Sequence, residues 1–435
     1  MQDPGLVSGL VVFLMLCLVG VGAVFCTTRH RDRLQFQIQL LLLAFGIRFA
    51  LSVLIYQFGL VSVVGDEDAS GWTVGAGYHW NWTHQNVTWF ELPSVLAKAY
   101  EGSNRGYPYL LGALFYITDS PQRLTAAAFN CFWGALTVLF AYKTARSLFS
   151  DWVAERVGWW TCLFPSMITW SAMTIKEPVV IMLETIALYA CTRLRQDGIS
   201  PRHLILSVLT IVLLVPFRFY AAYVVAAAML ISLLAPALFQ PKSGAAAVSL
   251  AALLIPVVLG TGLLARHEAS FKQFDLERAQ EIRSFSAGNN QSGTGSGVST
   301  GDVRNYNGLA YGMTVGGAHL LLAPFPWELG GGSLRMLLTF PELVYWWWLV
   351  WVGLFPGLIY CLRYRLSDVR AILILLLGFG LLYSLTFGNV GLVFRQRSQL
   401  LPWLFIISAV GLEQREIRRR AASAPPELSP SLATS

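Results

Sequence analysis

Residues Leu6–Arg33 read LVSGLVVFLMLCLVGVGAVFCTTRHRDR: an uncharged apolar run through Cys26, then Arg29, Arg31 and Arg33. A helix needs roughly 20 apolar residues to cross the hydrocarbon of a bilayer. This run is long enough, and the arginines close it on one side. It is too long for a secretory h-region and has no basic n-region, so it is expected to stay as a membrane helix. The pattern recurs at Phe36–Phe58, Gln122–Tyr142, Val157–Met173, Pro178–Leu194 and His203–Phe217. It continues at Phe219–Phe239, Gly244–Leu264, Leu343–Leu362, Val369–Phe387 and Ser398–Leu412. The expected fold is all-α: a polytopic transmembrane helical bundle of about eleven spans.

Composition agrees. Of 435 residues, 55% are apolar and only 13% charged, against about 25% charged in a soluble domain. Mean hydropathy is +0.56. A soluble enzyme, a nucleic-acid binder and a disordered regulator are excluded. The net charge of +7 reflects the basic residues that membrane proteins gather on one face, so no nucleic-acid partner is expected. The six cysteines fall in or beside apolar spans without C-x-x-C spacing, and read as small buried hydrophobes.

The basic clusters set the orientation. Lys143, Arg146 and Arg156 follow the third span, and Arg193, Arg195 and Arg202 the fifth. Lys242 follows the seventh, Arg363, Arg365 and Arg370 the ninth, and Arg415, Arg418, Arg419 and Arg420 the last. Strict alternation puts all of them on one side, the cytoplasmic one, with the N-terminus outside. The expected location is a cell membrane, most simply a bacterial inner membrane. Two long segments, 59–121 and 265–342, then face outward. The second is expected to begin with an amphipathic surface helix over Arg266–Phe285 and continue as a Gly/Ser-rich linker over Ser286–Gly297. The divisions are 1–34 (extra N-terminal helix and basic turn), 35–264 (transmembrane core), 265–342 (external segment), 343–414 (C-terminal helices) and a disordered tail, 415–435. Tyr107–Thr118 is too short to cross and reads as interfacial. The cytoplasmic segments are short and carry no phosphate-cradling glycine motif, so a nucleotide-driven pump is not expected.

Outside, Gly65-Asp66-Glu67-Asp68 follows the second span. The acids read either as a solvated loop that caps the next helix or as a base held at the membrane surface. Asp66 and Asp68 are candidate ligands for a divalent cation, Mg or Mn. Trp72, Tyr78 and Tyr107 belong either to an interfacial aromatic belt or to surfaces that stack on sugar rings. Lys176-Glu177 is expected on a tight external turn before Pro178. Arg218, Arg395 and Arg397 lie outside, against the usual charge bias. They read as snorkelling to lipid headgroups or, with Lys176, as ligands of a phosphate group.

The order Gly65-Asp66-Glu67, Tyr107-Pro108-Tyr109, Phe164-Pro165-Ser166, Lys176-Glu177-Pro178 and Arg395-Gln396-Arg397 resembles the GT-C superfamily of membrane glycosyltransferases. The likeness is to bacterial members similar to protein O-mannosyltransferases and lipid A aminoarabinose transferases, and it covers most of Gln35–Leu412. The resemblance implies a GT-C-like bundle that moves a sugar from a polyprenyl-phosphate-linked donor to a hydroxyl of a glycan, lipid or protein acceptor. The family's first-loop acid falls on Asp66, with Glu67 or Asp68 as alternates; Glu177, read from the residues alone, is a further candidate base. The extra first span is a departure from the family, and the large C-terminal soluble domain of oligosaccharyltransferases is not expected here. Two rivals stay open: a polysaccharide polymerase or O-antigen-type ligase, and a transporter or flippase of lipid-linked sugars, for which Arg48 and Glu184 are the mid-span charges.

Overall fold

The computed structural model describes residues 4–28, 33–61, 71–101, 104–235, 241–260, 275–291, 301–328 and 334–423. Among these residues the chain is helical and contains no β-strand. The helices are α1 (Leu6–Thr27), α2 (Leu34–Gln57), α3 (Gly71–His84), α4 (Leu92–Ala97), α5 (Gly106–Thr118) and α6 (Arg123–Leu148). Next come α7 (Asp151–Leu163), α8 (Pro165–Ala172), α9 (Glu177–Asp197), α10 (Pro201–Phe217), α11 (Phe219–Leu234) and α12 (Pro241–Gly260). The last are α13 (Leu276–Gln291), α14 (Tyr306–Leu322), α15 (Leu334–Leu349), α16 (Phe355–Tyr364), α17 (Leu366–Leu385) and α18 (Val390–Ser423). Among the described residues five stretches are long and apolar enough to cross a membrane: Leu6–Thr27, Leu34–Gln57, Arg123–Leu148, Thr339–Tyr364 and Leu366–Leu385. Pro201–Phe217, Phe219–Leu234 and Lys242–Val257 are apolar but shorter.

Helix α6 is the central post and packs on α1, α2, α7 and α9. Its run of small buried residues, Ala126, Ala127, Ala128 and Ala135, lets neighbouring backbones come close. On the outside the chemistry inverts: Leu14, Met15 and Leu18 on α1 are exposed, a face that suits lipid and not water. The tightest helix contact involves glycine. A Cβ on Gly357 would lie 2.0 Å from the carbonyl oxygen of Ile407, and one on Gly411 2.0 Å from that of Gly353. The π-helical turn Val350–Leu354 joins α15 to α16 at this contact.

One end of the bundle is an ionic seam. Arg146 pairs with Asp151 at 2.8 Å, and Arg33 with Asp151 at 3.6 Å and also with Glu155. Lys143 donates to the Thr28 hydroxyl at 3.0 Å, and Arg202 to the Cys26 carbonyl at 2.7 Å. Arg195 and Arg365 both bind Asp368, while Arg365 also reaches the Leu148 carbonyl at 2.8 Å. Ser150 bonds Glu413. Basic residues assigned to one side from sequence therefore meet at one end.

The expected continuous span Val157–Met173 is corrected: it breaks at Phe164-Pro165 into α7 and α8. Proline has no N–H and disfavours a helical conformation for the residue before it; Phe164 is extended. The break strands the carbonyls of Thr161 and Cys162, and Arg48 of α2 donates to them at 2.8 and 3.0 Å. It also strands the N–H of Ser166, which donates to the Glu342 carboxylate of α15 at 2.8 Å. A cation thus sits at the carboxyl end of one half-helix and an anion at the amino end of the next, as the helix dipole favours. The linker expected from Ser286 is also corrected, because α13 continues through Gln291. Residues 292–300, and most of the Arg266–Phe285 surface helix before Leu276, lie outside the described residues. Tyr107–Thr118 forms most of α5 and packs on α3. The tail is helical to Ser423.

Candidate functional site

The opposite end of the bundle is built on the short stretch 173–176 between α8 and α9. Two side chains pin its backbone. Asn130 of α6 donates to the carbonyls of Met173 and Ile175, at 2.5 and 2.7 Å. The Tyr56 hydroxyl accepts the Thr174 N–H at 2.9 Å. Asn130 is itself oriented by the Tyr107 hydroxyl, which donates to its side-chain oxygen at 3.2 Å. Tyr107 is therefore buried, with its polar tip committed to this support.

The pinned stretch delivers Glu177, the first residue of α9. The tight external turn expected for it is corrected: Glu177 is 1% exposed because two arginines cover it. Arg218 donates to its Oε1 at 2.8 Å from the joint between α10 and α11, and the Arg395 Nε lies 3.1 Å from the same oxygen. Glu177 Oε2 has no hydrogen-bond partner among the described residues. The second edge of Arg218 meets Gln399 Oε1 at 2.6 Å and the Tyr383 hydroxyl at 3.3 Å. The Gln399 amide donates in turn to Glu184, one heptad along α9 from Glu177. Two guanidinium groups and two carboxyl groups so form one buried file running inward along α9. Such burial of charge costs several kcal/mol per ion unless each group is matched.

Arg395 and Arg397 do not act together. Two positions apart on α18, they point about 200° away from each other. Arg397 donates to the Ala323 carbonyl at 2.7 Å and lies over the rings of Phe394 and Trp346 at 4.7 and 5.6 Å. Lys176 is half-buried beside Glu177. Tyr78 packs on Trp82 and Tyr109 at ring separations of 5.8 and 4.4 Å. Trp72 carries the guanidinium of Arg123 at 5.1 Å. Asp66, Glu67 and Asp68 lie outside the described residues, and so do the cation ligands expected there. Among the described residues no group of three or more acids, histidines or cysteines is placed to hold a metal ion.

Next to Arg397, the segment after α14 is locked by a histidine. His319 Nδ1 faces the Val315 carbonyl at 2.7 Å and Nε2 faces Glu328 Oε1 at 2.9 Å, while Glu328 also accepts the Phe325 N–H at 2.7 Å. A carbonyl can only accept, so Nδ1 carries a proton; facing a carboxylate, Nε2 carries one too. Burial works against the imidazolium, but the Glu328 carboxylate and the Val315 carbonyl outweigh it and raise His319 above the usual histidine range. A raised folded value means that the stabilisation is complete below the unfolded value, about 6.5. It is lost as pH rises through the folded value. Thermal unfolding should thus occur at lower temperature as pH increases above neutrality, by an amount worth about 1.5–3 kcal/mol for a hydrogen bond to a charged group. His319→Gln should flatten that dependence; an unchanged pH profile in the variant would assign it to other groups.

Sequence reading missed Asn130, Gln399 and Tyr383. An amide or hydroxyl on a helix that is otherwise apolar carries no charge signal, and only the fold shows what it faces. No family model matches the chain, and no curated protein matches it.

Proposed function

We propose that the protein is a multi-pass membrane glycosyltransferase of GT-C type, with about eleven crossings and its site on the extracytoplasmic side. On this reading the ionic seam is the cytoplasmic end and the Glu177 end faces out. The donor is a sugar on a polyprenyl phosphate, and the acceptor is a hydroxyl of a glycan, lipid or protein. One observation supports it above the rest: Arg218 and Arg395, from different helices, converge within hydrogen-bond distance of one carboxylate oxygen at that end. A constellation that holds one oxyanion in poor dielectric has the donor groups a phosphate needs.

The chemistry is a displacement at the anomeric carbon. The acceptor oxygen forms the new bond to that carbon as its proton passes to the Asp66 carboxylate. The bond to the lipid phosphate breaks, and the electron pair leaves on a phosphate oxygen. Arg218 and Arg395 stabilise the charge that develops there. Glu177 holds the two guanidinium groups at the spacing that the phosphate meets.

The test replaces charge without geometry. Arg218→Lys and Arg395→Lys keep a cation but lose the planar fork, and each is expected to lower transfer from a lipid-linked donor about tenfold or more. Wild-type rates in both would remove the phosphate site. Comparing surface glycans by mass spectrometry, with and without the protein, then identifies the sugar.

A second reading is favoured by the depth of Glu184 and by the charge-capped break between α7 and α8. Buried acids and interrupted helices are features of transporters, so movement of a lipid-linked sugar across the membrane is the alternative.

A further inference from the structure

Arg123 opens α6 at the end that carries Glu177, since the other terminus of α6, Leu148, lies in the ionic seam. A cation in the first turn of a helix runs against the helix dipole. What holds this one is aromatic. Its guanidinium carbon lies 5.0 Å from the ring centre of Tyr56 and 5.1 Å from that of Trp72. Tyr56 is fixed in turn by the Thr174 N–H, and Trp72 packs against the core. The Nε of Arg123 is buried without a hydrogen-bond partner, and among the described residues no carboxylate pairs with the group. The buried arginines at this end differ. Arg218 and Arg395 are matched by Glu177, Arg397 donates to a carbonyl, and Arg283 donates to the carbonyls of Ser384 and Leu385. Ring contact restrains a guanidinium while leaving N–H groups along its edge, which bind two oxygens of an oxyanion in parallel.

We propose that Arg123, held by Tyr56 and Trp72, is a phosphate-binding residue for an amphiphilic phosphate ester that enters from the outer leaflet. The inference rests on the donor-phosphate reading for its ligand class, but binding can be measured without any transfer. The site is separate from the Glu177 file: it uses a different arginine, on a different helix, with no acid beside it among the described residues.

The experiment is a calorimetric titration of the purified full-length protein, in neutral detergent, with farnesyl phosphate and with farnesol. Wild type is expected to bind farnesyl phosphate, and Arg123→Gln to weaken that binding roughly ten- to a hundredfold. Farnesol binding should not depend on residue 123. Arg123→Lys, which keeps a cation on the rings, should recover only part of the affinity; it also decides the matter if the Gln variant does not fold. Competition by phosphatidylglycerol as strong as by farnesyl phosphate would identify the phosphate as that of a membrane headgroup. Competition by farnesyl phosphate alone would identify it as that of a prenyl ester. Equal affinity of wild type and the folded variants, or no binding by wild type, overturns the proposal. If Arg123→Gln loses binding while cells with and without the protein carry the same glycans, the phosphate site stands and the transferase reading falls.

Discussion

Glu177→Ala is expected to destabilise the protein by about 3–5 kcal/mol, because it removes the one carboxylate oxygen that two buried guanidinium groups share. Arg218 and Arg395 meet the same Glu177 oxygen, and all three side chains are almost fully covered. Removing one partner of such a set costs more than removing the whole set, since the surviving charges keep their desolvation penalty. Thermal unfolding in detergent should therefore show a large fall for Glu177→Ala. A triple variant, Glu177→Met with Arg218→Met and Arg395→Met, should recover most of it. An alanine variant as stable as wild type would mean that the arginines find other acceptors, and that Glu177 is not what holds them.

The second large effect concerns turnover. On the transferase reading Asp66→Ala should lower transfer by about 10²–10⁴-fold, the usual contribution of a general base, with protein level and donor binding near wild type. Asp66→Asn separates the two readings: a transferase loses turnover and keeps its donor, whereas a carrier keeps moving lipid-linked sugar. Near-normal transfer by both variants would pass the role to Glu67 or Glu177. Glu177 is the poorer candidate, because its buried carboxylate is already matched by two cations, Arg218 donating to Oε1 and the Arg395 Nε 3.1 Å from the same oxygen.

What the sequence disclosed depended on whether a residue's role follows from its place along the chain. Arg33, Lys143, Arg146, Arg195, Arg202 and Arg365 could be grouped because parity along alternating helices decides which end a loop occupies. The structure joins them at one end. Arg218 and Arg395 group in the sequence as phosphate ligands and Glu177 stands apart as a candidate base, but their meeting at one oxygen needs the packing of α9, α10 and α18. Pairing Arg395 with Arg397 failed for a helical reason: neighbours two apart face away from each other. Tyr107 was read as an outward aromatic, yet its value to the fold is a hydroxyl aimed at Asn130, which spacing does not reveal. The break at Pro165 was missed because hydropathy stays high across it, and hydropathy does not record where backbone groups lose their partners. Arg123 escaped notice at the start of a span, where a basic residue looks like punctuation.

The charge-capped break also carries a consequence for synthesis. Its two caps arrive at different times: Arg48 precedes the break by more than a hundred residues, while Glu342 follows Ser166 by 176. At roughly 5–20 residues per second, the amino end of α8 waits on the order of 10–35 s before its carboxylate is made. During that interval the nascent chain presents an unmatched amide, and beside it Arg48 without the opposite charge that balances the break. The break is thus capped in two stages: Arg48 is already made when α7 and α8 emerge, and the second cap arrives only with Glu342, within the last third of the protein.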